Sequence, residues 1–502
     1  MGGITFQFQY LLMSLLGVGV GIIFGALPGM TATMAIAIFL PLTYAYDLNT
    51  SLYLLLGLYV GGISGGLIPA ILVNIPGTPS SICTGFDGHP MAMRGEGERA
   101  LKIGITASFI GGMVSLVFLW FFTPPLAKFA INFGAVEKFL IILFAMTIIA
   151  ALSKGDMLMG IFSGFVGVLI SLMGNFAYNG MNRMIPTSGI LKLKMRNGFA
   201  LLPVMIGLFA LMQIFQEAET GMKENDFKTN LDTQTRKFKF SDLKGQGINF
   251  IRSAIIGTFV GVLPGVGGSA ASLLSYSQAK NFSKHPEELG KGSVEGLVAS
   301  ECANNGLTGG ALIPLLSLGI PGDSTTAVLV GAFLLQGVTV GPLFISENPI
   351  LWKSILLGLF IANIFMFILM FYPIKWISKI INLPKGRLYP VIILLCVVGA
   401  YSANNGNMFD VWSMILFGFG FYILNKFGMT TAPFLIGFIL GKNLEEYFID
   451  AIQGSGGSLG IFFSSTIGNV IWVLIAVSIF YSIWDATKDS RKARKAAKAA
   501  KK

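Results

Sequence analysis

The sequence predicts an all-α polytopic membrane protein made of two inverted-topology repeats, with broken or re-entrant helices meeting near the bilayer midplane and one extra C-terminal transmembrane helix. Three observations carry this reading. The 502 residues are 54% hydrophobic and only 12% charged, about half the charged share of a soluble domain. Residues 103–126, 158–182 and 461–484 contain no charge and are long enough to cross a hydrocarbon core at about 1.5 Å per residue. One pattern also occurs twice: residues 61–81, GGISGGLIPAILVNIPGTPSS, and residues 306–326, GLTGGALIPLLSLGIPGDSTT. At a shift of 245 positions, Gly61, Gly65, Pro69, Ile75, Pro76 and Gly77 fall on Gly306, Gly310, Pro314, Ile320, Pro321 and Gly322.

The N-terminus has no basic segment before its first apolar run, so a retained span is expected there rather than a cleaved signal peptide. That run leads into IIFGALPGMTAT at residues 22–33, which matches FVGVLPGVGGS at residues 259–269. Each half therefore opens with Gly-x-Leu-Pro-Gly. The 61–81 and 306–326 stretches follow, each with two prolines seven residues apart and an Ile-Pro-Gly end. Proline removes a helix hydrogen bond and glycine frees the backbone. In a bilayer such a break survives only inside protein or against a wet cavity.

The likeness then continues more faintly. Phe109-Ile110 matches Phe360-Ile361, Gly155-Asp156-Met157 matches Gly406-Asn407-Met408, and LLPVMIGLF at Leu201 matches TAPFLIGFI at Thr431. The chain divides into a first membrane repeat at 1–218, a cytoplasmic linker at 219–245 and a second membrane repeat at 246–448. A loop with the extra helix follows at 449–485, and a basic cytoplasmic tail at 486–502. Tail and linker carry dense Lys and Arg, whereas residues 1–20 carry none. By the positive-inside rule both basic segments are cytoplasmic, which requires an odd number of crossings per repeat and therefore inversion. The acidic loop with Glu445, Glu446 and Asp450 then falls outside. Residues 181–197, with Arg183, Lys192, Lys194 and Arg196, fall outside against the rule, and we read them as an insertion that covers something.

Composition excludes several classes of function. The net charge of +11 crowds into the tail, where no aromatic residues interleave to suit a nucleic acid. Cys83, Cys302 and Cys396 stand apart in no metal or redox pattern. Gly290-Lys291-Gly292-Ser293 lacks the first glycine of an ATP-binding loop. No acid–base cluster sits in the spans, so no enzyme is expected.

What remains are four Pro-Gly breaks followed by small or hydroxyl residues. Helices restarting there aim free N–H groups and positive dipole ends at a cavity, which suits a carboxylate, while unwound carbonyls suit a cation. The candidate substrate-binding residues are Pro28, Gly29 and Thr31; Asn74, Pro76, Gly77, Thr78 and Ser80; Gly265, Gly267 and Ser269; and Pro321, Gly322, Ser324 and Thr325. Asn304, Asn305 and Asp323 are the candidate ion ligands. The plainer alternatives are that the glycines form packing faces, that the asparagines bond across helices, and that Asp323 caps a helix. Glu301, an acid inside a span, is a functional candidate on that ground. Asp87, His89, Arg94, Glu96, Glu98 and Arg99 read as a mixed-charge connection. The proline-free span at residues 355–371 suits a static scaffold.

At these motifs the chain resembles the large membrane subunit of the tripartite tricarboxylate transporters, the TctA family. The resemblance rests on GALPG at Gly25, residues 61–81, GFDGHPMAMRGEGERAL at Gly85, GVLPGVGGSAA at Gly261 and ASECANNGLTGGALIPLLSLGIPGDSTTAVLVGA at Ala299. It implies a permease of the bacterial inner membrane that takes up carboxylates such as citrate on an ion gradient, Na⁺ or H⁺. It also implies two partners, a small TctB-like membrane subunit and a TctC-like periplasmic solute-binding protein. No cofactor is expected beyond the co-transported ion.

Overall fold

The computed structural model describes residues 7–151, 157–176, 178–220, 235–383, 385–402 and 406–480. The basic tail, most of the linker and the Gly155-Asp156 pair lie outside the described residues. The chain is nearly all helical. The first half runs α1 (Phe8–Ala26), α2 (Ala32–Phe39), α3 (Leu48–Gly65), α4 (Leu67–Val73), α5 (Ile82–Met91), α6 (Gly97–Ala130), α7 (Ala135–Ala151) and α8 (Met157–Ser171). A two-residue β-hairpin, β1 (Gly174–Asn175) with β2 (Asn182–Arg183), and α9 (Gly189–Lys194) precede α10 (Leu201–Ile206) and α11 (Met212–Thr220). The second half runs α12 (Gly247–Val262), α13 (Gly267–Phe282), α14 (Val294–Leu318), α15 (Ser324–Leu335), α16 (Phe344–Glu347), α17 (Pro349–Phe371), α18 (Ile374–Ile377), α19 (Lys385–Ser402), α20 (Met408–Lys426) and α21 (Thr431–Gly454). A last apolar helix, α22, covers Thr466–Phe480.

Among the described residues, six helical stretches are long and apolar enough to cross a membrane, and six further apolar helices are shorter. The charge-free run at 158–182 is not one long span. Its helix stops at Ser171, and Gly174, at φ 110°, turns the chain into the hairpin.

Glycines at four-residue spacing explain the tightest helix pairs. Gly17, Gly21 and Gly25 of α1 face Gly57, Gly61 and Gly65 of α3 so closely that a Cβ at any of them would collide with the opposing backbone. Gly257 and Gly261 of α12 meet α14 at Ala303, Leu307 and Gly310 in the same way. Backbones approach this closely only where side chains are absent. For Gly61, Gly65, Gly306 and Gly310 the packing-face reading is therefore the observed one.

The packing of the first half recurs in the second. Helix α1 lies on α3 as α12 lies on α14, and α6 runs along α14 as α17 runs along α3. Helix α8 packs on α21, while α20 packs on α10 and α11. The span at 355–371 lies within α17, directly on the helices that carry the breaks.

The mixed-charge connection after the first motif is helical and tied to its surroundings. Asp87 is fully buried and accepts from the N–H groups of Gly290, Gly292 and Ser293, at 2.7–2.8 Å, and from Tyr276 Oη at 2.8 Å. Arg94 donates to the carbonyls of Lys291 and Gly292. Arg99 pairs with Glu96 and with Asp242 of the linker. Arg183 of the basic insertion forms a two-pronged pair with Glu445, and Tyr178 donates to Asp450. The insertion thus covers the acidic end of α21, which supplies the counter-charge for its arginine.

Candidate functional site

The four breaks meet in two pairs, each joining the two halves of the chain. In the first pair, α1 ends at Ala26, Gly29 turns the chain at φ 89°, and Thr31 caps α2 by accepting from Met34 N–H at 3.1 Å. Opposite, Asp323 caps α15, accepting from Thr326 N–H at 2.7 Å, while Thr326 Oγ1 accepts from Asp323 N–H at 2.9 Å. Thr33 and Thr325 then join α2 to α15 through a hydroxyl–hydroxyl bond of 2.8 Å. Pro28, Gly29, Thr31 and Ser324 are half-buried around this contact, and Pro321, Gly322 and Thr325 are buried. Gly29 also lies against the Glu217 carboxylate of α11.

The second pair brings residues 265–269 to the segment before α5. Thr78 and Ser81 form a capping box, and the hydroxyls of Thr78 and Ser80 are 3.0 Å apart. A Cβ added at Gly268 would stand 2.6 Å from Ser80 Cβ and 3.0 Å from Asn304 Oδ1. Gly265 and Gly267 have φ of 80° and 71°, and with Ser269 they are half-buried. Asn74 ends α4 in the left-handed region at φ 56°, as Gly319 ends α14 at φ 76°. Asn74 and Pro76 are exposed, whereas Thr78 and Ser80 are buried.

Each break leans on the glycine that opens its own half. Gly77 seats on the Gly25 carbonyl and Gly322 on the Gly261 carbonyl. Gly265 N–H donates to Gly322 O at 2.7 Å, and Gly77 N–H donates to Gly66 O at 3.3 Å. These contacts need the absent Cβ, which is the physical reason for Gly after both prolines.

The polar residues behind the breaks differ in how far they are satisfied. Asp323 Oδ2 accepts from Tyr59 Oη at 3.2 Å, so both its oxygens have donors. Asn305 accepts from Ser64 Oγ at 2.6 Å and donates to Glu301 O at 3.3 Å. Asn304 is fully buried beside Glu301, and neither of its amide atoms makes a hydrogen bond of regular geometry. Glu301, also fully buried, accepts from Thr84 Oγ1 and from Ser108 Oγ, the latter at 2.8 Å.

Sequence reading does not single out Tyr59, Ser64, Thr84, Ser108 or Glu217. The one available signal is the 245-residue shift, which lays Tyr59 over Asn304. Tyr59 reaches Asp323 at a break of the opposite half, whereas Asn304 lies beside Gly268 of its own half. Among the described residues, the one group with metal-ligand spacing, His285, Glu287 and Glu288, is exposed on the loop after α13, away from the breaks.

The paired breaks present hydroxyls and helix N-termini in a largely buried setting. A 37% identical relative, an uncharacterized 52.8 kDa protein from the TAR-I ttuC' 3' region of Agrobacterium vitis, aligns over 90% of this chain and 88% of its own length. A second Agrobacterium vitis protein, from the TAR-II ttuC' 3' region, is 39% identical over 47% of this chain and 97% of its own. No solved structure matches the chain. The model of the tripartite tricarboxylate transporter TctA family matches residues 11–436, and with that match over most of its length the chain belongs to the TctA family.

Proposed function

We propose that the chain is the large permease subunit of a tripartite system that takes up tricarboxylates or related carboxylates across the bacterial inner membrane, driven by an ion gradient, with Na⁺ as the expected ion. The observation that carries this reading is the pairing of the breaks across the two halves, with Thr33 on Thr325 and Gly268 on Ser80. Substrate carboxylates bind the hydroxyls of Thr78, Ser80 and Thr325 and the neighbouring N–H groups, while Asn304, Asn305 and Asp323 serve the ion. The repeats are inverted, and transport proceeds by alternating access around the paired breaks. The recurrence of the α1–α3 packing in α12–α14, and of α6 on α14 in α17 on α3, supports the repeat. A small membrane subunit and a periplasmic solute-binding protein complete the system, and the C-terminus is cytoplasmic.

The test is uptake of labelled citrate and a panel of di- and tricarboxylates into vesicles holding the chain with both partner subunits, with and without a Na⁺ gradient. Concentrative, saturable, Na⁺-dependent uptake of one acid is the expected result. Flux that neither saturates nor accumulates solute would make the paired breaks a channel filter instead.

A further inference from the structure

Glu301 presents an electrostatic problem that the carboxylate reading does not solve. Its side chain is fully buried on α14, about two turns in from the helix start, too far for the helix N-terminus to help. The groups that reach it are all neutral: the hydroxyls of Thr84 on α5 and Ser108 on α6, and the neighbouring Asn304 amide. Among the described residues no Lys, Arg or His pairs with it. A buried carboxylate without counter-charge is strongly disfavoured. Asp323 is different, because it caps α15 and takes the Thr326 N–H and the Tyr59 hydroxyl.

The second observation is Asn304, on the same face of α14 one turn beyond Glu301. It is fully buried, lies beside the Glu301 carboxylate, and has neither amide atom in a regular hydrogen bond. An unsatisfied buried amide is costly in the same sense. A half-turn of that amide exchanges its oxygen and nitrogen, so its oxygen can face Glu301.

We propose that Glu301, Thr84, Ser108 and Asn304 form a sodium-binding site where α14 crosses the corner between α5 and α6. The ion takes the carboxylate, both hydroxyl oxygens and the Asn304 amide oxygen, all hard oxygen donors. This satisfies both problems at once, because the ion supplies the missing counter-charge and takes the amide oxygen. The site borders the second pair of breaks, because Asn304 is also the residue that Gly268 approaches beside Ser80. Sodium therefore fixes the side chain against which the carboxylate-binding tip closes. The inference rests on the ion-driven reading above for its role in transport, but the site itself is testable without substrate.

The experiment is equilibrium binding of radioactive Na⁺ to the purified full-length chain, with K⁺ and protons as competitors, for the wild type, Glu301→Gln, Thr84→Val and Ser108→Ala. The wild type is expected to bind Na⁺ saturably, and Glu301→Gln to bind at least about tenfold more weakly, with Thr84→Val and Ser108→Ala intermediate. If Glu301→Gln does not fold, the two hydroxyl variants decide by the same readout. Undiminished Na⁺ affinity in folded variants overturns the site, as does a wild type that exchanges a proton but binds no Na⁺. Na⁺-driven uptake that persists unchanged in Glu301→Gln overturns the site and leaves the transport reading standing. Glu301-dependent Na⁺ binding in a chain that accumulates no carboxylate does the reverse.

Discussion

At Gly268 a hydrogen atom stands where a methyl group would overlap Ser80, and at Gly267 the backbone has φ 71° with open space around it. The two glycines are adjacent, yet different physics requires each. Gly267→Ala puts a Cβ into the left-handed region, at a cost of about 1–2 kcal/mol. Gly268→Ala overpacks a contact between the two halves, at a cost of about 1–3 kcal/mol. Both variants should melt a few degrees early, but only Gly268→Ala should also lower carboxylate uptake severely. Equal uptake by the two variants would show that the Gly268–Ser80 contact does not matter for transport. At this scale the Pro-Gly dipeptides were legible in the sequence, because a break in an apolar helix is a local event. Tyr59 was not, because its partner Asp323 is 264 residues away.

At the scale of elements, the helical hairpins are held at their ends by polar clusters. The linker reaches the start of α6 through Asp242, which accepts from Arg99 and Arg236 and from the Lys239 N–H. Burial of Asp242 would raise its pKa, but the hydrogen bonds from Arg99 and the Lys239 N–H and the charges of Arg99 and Arg236 outweigh it, so the pKa lies below the ordinary aspartate value. A depressed carboxylate pKa stabilises the fold above the unfolded value, near 3.9, and that contribution disappears as pH falls through the folded value. Thermal unfolding of the wild type against Asp242→Asn should therefore differ most at neutral pH and converge below about pH 4. A gap that stays constant down to pH 3 would mean that Asp242 is not ionised in this brace. The basic insertion was visible as an exception to the charge rule. Its partner Glu445 could not be read from local sequence, since β2 and α21 meet only when α8 packs on α21.

On the scale of the whole molecule, the two halves meet at Thr33 and Thr325, whose hydroxyls are 2.8 Å apart on α2 and α15. The proposed alternating access requires these tips to separate or shift. Cysteines at both positions stand within reach of a disulfide, and the native Cys83, Cys302 and Cys396 are buried. In a Thr33→Cys, Thr325→Cys variant, oxidation should abolish uptake and reduction should restore it. Full uptake by the oxidised, cross-linked protein would show that these tips move as one body.

The sequence by itself determined the membrane class and the four Pro-Gly dipeptides and displayed the internal likeness at a shift of 245, because apolar length, pattern and Pro-Gly chemistry are properties of short stretches. It also exposed the chain to recognition at ASECANNG and IPGDSTT. Only the tertiary structure decided that each break pairs with one from the other half, that Asp323 is fully satisfied, that Glu301 is buried without a counter-charge and that Asn304 makes no hydrogen bond of regular geometry. The reason is physical: hydrogen-bond satisfaction and counter-charge depend on side chains as distant in the chain as Thr33 and Thr325, 292 residues apart, on helices packed through the glycine faces of α1, α3, α12 and α14. A sequence shows which residues are polar, but the packed structure alone shows which of them still lack a partner.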